Sequence, residues 1–169
     1  MSPVVVLVGP PGAGKTTVGA ELARLSGTTL RDTDADVVTE AGRSVQEIFV
    51  DDGEPAFRAM EESAVQRALA EHDGVLALGG GAVLSRATRD RLRGQPVVFL
   101  DVGLAAAAGR VGMDSGRPLL LGNVRAQMKR LLDDRRPVYA DVAVATVVTD
   151  HLSPAEVARQ VWTLIEERR

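Results

Sequence analysis

Cysteine is missing altogether from the 169 residues. That excludes a disulfide framework, a thiolate metal site and a cysteine nucleophile. The only two histidines, His72 and His151, stand alone, which argues against histidine-based zinc and for packing or surface roles. Positive charge is in deficit: the net charge of -3 does not suit a general nucleic-acid binder, which needs a basic surface. No apolar run approaches the ~20 residues of a membrane span. Met1–Val8 has no basic n-region and its apolar run ends at Gly9, so it reads as a buried strand and not a signal peptide. The expected setting is the cytoplasm. Hydrophobic residues at 45% and charged residues at 25%, in a chain of this length, fit one globular domain over residues 1–169.

Short apolar runs alternate with helical patterns. Val4–Val8, Gly74–Leu78, Val97–Leu100 and Val142–Val148 predict strands, and Thr29–Asp32 a weaker fifth. Helices are predicted at Lys15–Leu25, Ala56–Ala70, Arg86–Arg93, Ala105–Arg110 and Val124–Asp134. Continuous Val/Leu runs without polar alternation suit parallel strands covered on both faces, hence a three-layer α/β domain. At the C-terminal end, Ser153-Pro154-Ala155-Glu156 is a capping box with proline in the first turn. Val157, Val161, Leu164 and Ile165 follow as one apolar stripe. Val111-Gly112-Met113-Asp114-Ser115-Gly116 has no periodicity and predicts a mobile loop of the kind that forms lids.

Gly9-Pro10-Pro11-Gly12-Ala13-Gly14-Lys15-Thr16 matches the phosphate-binding loop G-x-x-x-x-G-K-[ST] in full, between a hydrophobic strand and a helix start. Its glycines allow backbone N–H groups to surround phosphates, and the helix N-terminus adds positive potential. Lys15 can reach the β- and γ-phosphates and the Thr16 hydroxyl can ligate Mg²⁺. The loop alone leaves the reaction open, since GTPases, motor ATPases and small-molecule kinases share it. The only asparagine, Asn123, is followed by valine, so the guanine-reading N-K-x-D element of signalling GTPases is missing.

Five further pieces occur in order: Asp32-Thr33-Asp34; Gly53-Glu54-Pro55-Ala56-Phe57-Arg58-Ala59-Met60-Glu61; Leu78-Gly79-Gly80-Gly81; Arg117-Pro118-Leu119-Leu120; and Arg135-Arg136-Pro137-Val138-Tyr139. With the phosphate loop they resemble the shikimate kinase family over nearly the whole chain. The resemblance implies a phosphate-loop kinase fold with a central five-stranded parallel sheet and helices on both faces. It also implies a substrate-binding region over 33–61, a lid over 111–124, Mg²⁺ as cofactor, and ATP and shikimate as the only partners of a monomer. The activity implied is transfer of the ATP γ-phosphoryl group to a shikimate hydroxyl, giving shikimate 3-phosphate and ADP.

By the same resemblance, Gly12, Ala13, Gly14, Lys15, Thr16, Thr17, Arg110, Arg117 and Pro118 bind ATP, and Thr16 and Asp32 serve the metal. Asp34, Arg58, Gly79, Gly80, Gly81, Arg135, Phe49, Phe57 and Glu61 bind the acceptor, while Asp34, Lys15 and Arg117 are catalytic. The residue types suit those roles. An arginine fork matches a carboxylate with two parallel hydrogen bonds, the role implied for Arg58 and Arg135. Glu61, one turn from Arg58, can hold that guanidinium, although alone the pair reads as an ordinary surface ion pair. Three glycines offer backbone donors to a small polyol, or simply a turn at a strand end. Asp34 can accept from ring hydroxyls and serve as general base. Arg110 suits adenine stacking or helix capping, and Phe49 and Phe57 suit a pocket wall or core packing.

Asp101, ending the run Val97-Val98-Phe99-Leu100, is a rival to Asp32 for the metal shell. Two departures from the family pattern stand out: the segment between Gly122 and Arg135 is slightly short, and Leu152 stands where relatives often have arginine in the adenine loop. The alternatives kept beside this reading are a gluconate-type kinase and a non-catalytic nucleotide-binding regulator.

Overall fold

The computed structural model describes residues 2–103 and 122–169. Five strands, β1 Val5–Val8, β2 Leu30–Asp32, β3 Val75–Ala77, β4 Val97–Asp101 and β5 Ala145–Val148, form one sheet in the order β2-β3-β1-β4-β5. Every pairing is parallel, with Val6 opposite Leu76 on one side and Leu7 opposite Val98 on the other. Helices α1 Lys15–Ser26, α2 Thr33–Ala41, α3 Val45–Asp52, α4 Glu54–Glu71, α5 Arg86–Leu92, α6 Gly122–Val142 and α7 Pro154–Glu167 complete the described elements, with a 3-10 turn at Ala82–Leu84.

The apolar run of β1 works because its alternate residues face opposite cores. Val5 and Leu7 join Val98 and Leu100 in a cluster with Val18 and Leu22 of α1 and Val157, Val161 and Ile165 of α7. Val6 and Val8 join Leu76, Leu78 and Phe99 in a second cluster under Val65, Leu69, Leu92 and Tyr139. A small third cluster of Val37, Ile48, Phe57 and Ala64 fastens α2 and α3 to α4. The capping box of α7 is formed in both directions, between Ser153 and Glu156. Leu164, expected on the α7 stripe, is only partly buried.

Two sequence expectations are corrected. The helix predicted to end at Asp134 continues to Val142, with Pro137 inside it. The strand predicted from Val142 therefore starts only at Ala145. Pro137 removes one main-chain donor without ending the helix, whose Tyr139 and Leu132 are anchored in the cores. The predicted region 33–61 is itself mostly helical: α2, α3 and the start of α4. The helix expected at Ala105–Arg110, and with it Arg110, Arg117, Pro118 and the predicted lid up to residue 121, lie outside the described residues. Among the described residues no helix is long and apolar enough to cross a membrane.

Candidate active site

The phosphate loop leaves the carboxyl end of β1 and turns through Gly12 (φ 84°) and Gly14 (φ 86°), left-handed conformations that favour glycine. Gly14 is the N-cap of α1 and makes no side-chain cap, and the first turn of the helix carries no acid. Such a terminus presents main-chain donors and positive potential to an anion. Lys15 Nζ donates to the carbonyls of Gly9 (2.7 Å) and Pro10 (3.0 Å), folding over its own loop. Burial lowers its pKa to about 8; Asp34 and Asp32 oppose that shift and Arg135 adds to it. A cavity of about 510 Å³ runs over this loop, lined also by Asp32, Asp34, Leu78 and Gly80. Its far wall comes from Thr149, Leu152 and Pro154, the segment read as the adenine loop.

The carboxyl end of β2 supplies the acids. Asp32 uses its two oxygens differently. Oδ1 caps α2 by accepting from the N–H groups of Asp34 (2.8 Å) and Ala35 (3.4 Å). Oδ2 accepts from Thr16 Oγ1 at 3.1 Å. Two hard oxygen ligands thus meet at the start of α1, a donor set that suits Mg²⁺ together with water and phosphate oxygens. The rival Asp101 is instead paired with Arg136, Nε to Oδ1 at 3.1 Å. Among the described residues no three His, Cys, Asp or Glu side chains cluster as a dedicated metal cage. His72 is bound to the carbonyls of Thr29 and Val75, a structural role. Asp34 is pushed above the usual carboxylate range by burial and by Asp32, while Lys15 and Arg58 pull it back.

The glycine turn after β3 faces these acids at van der Waals range. A Cβ on Gly79 would lie 2.5 Å from Asp34 Oδ1 and 2.9 Å from Glu61 Oε2. A Cβ on Gly81 would run into the Arg58 guanidinium. The turn therefore requires glycine for close approach of the charged groups. One expectation changes: Gly79 N–H is already donated to Thr33 Oγ1 at 3.2 Å, so the open donors of the turn are fewer than three. Thr33 is fully buried, and its place in the sequence between two aspartates gives no local sign of this role.

Arg58 Nη1 donates to Glu61 Oε1 at 2.8 Å, and Nε to Glu54 at 3.4 Å. Glu61 is almost wholly buried, so this is not the exposed ion pair that spacing alone suggests. Burial raises the Glu61 pKa, against the pull of Arg58. Phe57 is buried in the third cluster 4.8 Å from the Phe49 ring, and the Arg58 guanidinium lies over it at 5.4 Å. Core packing thus accounts for Phe57. Arg135 comes close enough to act electrostatically on Lys15, Glu61 and Tyr139. Tyr139, which closes the fifth sequence piece and was given no role there, donates its hydroxyl to the Gly80 carbonyl at 2.5 Å. Sequence and structure thus bring together Lys15, Thr16, Asp32, Asp34, Arg58, Glu61, Gly79, Gly80, Gly81 and Arg135.

A strand, phosphate loop and helix beside paired acids and two arginines define a phosphate-loop kinase. A family model described as shikimate kinase matches residues 11–166. The shikimate kinase of Salinispora arenicola is 58% identical over 165 residues, covering 98% of this chain and 99% of that one. The structure of shikimate kinase from Acinetobacter baumannii in complex with shikimate aligns with a TM-score of 0.91 at 33% identity, covering 100% of this chain and 95% of that one. A gluconokinase from Sinorhizobium meliloti aligns with a TM-score of 0.60 at 24% identity, covering 97% and 91%, a likeness of fold alone. The chain belongs to the shikimate kinase family.

Proposed function

We propose that this enzyme transfers the γ-phosphoryl group of ATP to the 3-hydroxyl of shikimate, with Lys15, Asp34, Arg58 and Arg135 as its working side chains. The observation that carries the reading is Asp34: its carboxylate feels Lys15 from the nucleotide side and Arg58 from the acceptor side. It lines the cavity with Lys15, and its Oδ1 lies against the glycine turn, which supports a place for it between donor and acceptor. In the transfer, the acceptor oxygen forms a bond to the γ-phosphorus and the bond from that phosphorus to the β–γ bridging oxygen breaks. The hydroxyl proton passes to the Asp34 carboxylate, whose raised pKa makes it a better acceptor. ADP then carries the leaving oxygen.

Lys15 turns from its loop carbonyls to the phosphates and neutralises developing charge. Arg58 and Arg135 grip the acceptor carboxylate, with Glu61 fixing Arg58. Gly80 and Gly81 leave room for the ring and its hydroxyls. Phe49 is assigned to the wall of that pocket, with Phe57 behind it. Thr16 and Asp32 would hold Mg²⁺, which when bound offsets charge on the β- and γ-phosphate oxygens. Arg110, Arg117 and Pro118 keep the nucleotide roles that the family resemblance gives them, with 111–124 as the lid. The enzyme is read as a single-domain cytoplasmic monomer with ATP and shikimate as its only partners.

The test is ADP release from Mg-ATP with shikimate, with gluconate and with no acceptor, followed by phosphorus NMR of the product. Shikimate-dependent release and a 3-phosphate resonance are expected. Equal rates in all three mixtures would overturn the reading, and release with gluconate alone would move it to the gluconate-type kinases.

A further inference from the structure

Tyr139 is the only tyrosine in the chain. It is 1% exposed, its ring packs on Phe99 with centroids 5.1 Å apart, and its hydroxyl donates to the Gly80 carbonyl. A buried phenol needs such a partner. Gly80 in turn backs onto the phosphate loop: a Cβ there would lie 3.0 Å from Pro11 Cδ. On α6, Tyr139 follows Arg135 by four residues, so the two share one helix face, while Arg136 is turned to Asp101. Arg135, Arg58 and Glu61 all lie within electrostatic reach of the phenol.

We propose that Tyr139 is a positioning residue for the acceptor: its hydroxyl ties the Gly80 carbonyl to α6 and holds the Arg135 guanidinium in place against the glycine turn. The hydroxyl has capacity for both contacts, donating to the carbonyl and accepting from the arginine. Gly80 is thereby pinned between Pro11 on the nucleotide side and Tyr139 on the acceptor side. An arginine held this way keeps its fork oriented before the carboxylate arrives, which lowers the entropy lost on binding. The proposal rests on the acceptor role given above to Arg135.

Tyr139→Phe keeps the ring and its packing on Phe99 and removes only the hydroxyl. The shikimate KM is expected to rise roughly five- to tenfold, the size of one lost hydrogen bond, with the ATP KM within about twofold. In an Arg135→Ala background the same change is expected to cost markedly less than it does alone, because the arginine it positions is gone and only the tie to Gly80 is lost. An unchanged shikimate KM, an equal rise in both KM values, or effects that multiply in the double variant would each overturn the proposal. Should Tyr139→Phe fail to fold, tyrosine labelled with ¹³C at Cζ gives one resonance in the otherwise native enzyme. Saturating shikimate is expected to shift it, and Arg135→Ala to abolish that shift; a resonance indifferent to both overturns the proposal. A wild-type enzyme that does not phosphorylate shikimate would instead overturn the functional reading itself.

Discussion

Arg136 donates through Nε to Asp101 Oδ1 at 3.1 Å, and in the proposed function this leaves its neighbour Arg135 for the acceptor. Consecutive helical residues point ~100° apart, so Arg135 is carried round toward Lys15, Glu61 and Tyr139. Arg135→Ala should raise the shikimate KM roughly ten- to a hundredfold, the size of a lost charge-assisted contact. Arg136→Ala should leave that KM nearly unchanged and cost at most about 1 kcal/mol of stability, since its pair with Asp101 is partly exposed. Paired shikimate titrations at saturating Mg-ATP decide it; a larger KM effect at 136 would reverse the assignment.

Gly79→Ala tests the closeness of the acids to the glycine turn. A methyl group 2.5 Å from Asp34 Oδ1 must displace that carboxylate. An ångström of misplacement at a reacting group can cost about a hundredfold, and a fall of that order in kcat/KM for shikimate is expected. Retention of wild-type kinetics would show that Asp34 is not held where the reaction needs it.

Thr33→Val tests the other side of the same turn. The buried Gly79 N–H loses its acceptor, at a cost of roughly 1–3 kcal/mol. Urea unfolding should show a lower midpoint with an unchanged slope. A midpoint equal to the wild type would mean that the amide finds another partner.

Lys15 gives a pH prediction with a definite sign. Burial disfavours its charged form and holds its pKa down to about 8, below the ordinary 10.5. Bound phosphates favour that form, so above pH 8 nucleotide binding must take up a proton. ATP affinity should be flat below pH 8 and fall above it by up to about tenfold per pH unit. The same depressed pKa means that the folded protein binds fewer protons than the unfolded chain between about 8 and 10.5, and this group makes stability rise with pH in that window. Calorimetric ATP titrations from pH 7 to 10 measure the first effect; an affinity independent of pH would contradict it.

Asp34→Asn separates chemistry from nucleotide binding. Turnover should fall at least about a hundredfold, with ATP affinity nearly intact. In the wild type, kcat should drop as pH falls through a midpoint above that of an ordinary aspartate, because burial and Asp32 raise its pKa. Loss of ATP affinity with normal shikimate binding would place Asp34 on the wrong side of the transfer.

The phosphate loop, strands β1, β3 and β4 and the α7 capping box were legible because each has a local cause: glycine conformations, unbroken apolar runs, and a serine three residues before a glutamate; β2, Leu30-Arg31-Asp32, has no such run. Helices α2 and α3 were not. Each buries few side chains, Thr33 and Val37 in one and Ile48 in the other, too few to print a period. Asp32 is also an N-cap, a role hidden behind its reading as a metal group. A proline inside a helix is ordinarily disfavoured, yet α6 passes through Pro137 with Tyr139 anchored in the core beyond. The Gly79–Thr33 and Gly80–Tyr139 bonds span 46 and 59 residues, distances over which no local pattern speaks.

Strands β1 and β3 are direct neighbours, with Leu7 opposite Ala77. The nucleotide loop and the glycine turn therefore leave the sheet from adjacent rungs, ~4.8 Å apart in any β-ladder. The sheet acts as a ruler: the spacing of the two loops where they leave it is set by main-chain pairing, which side-chain substitution hardly alters. Variants around the cavity should change how each substrate is held far more readily than how far apart the two loops are kept.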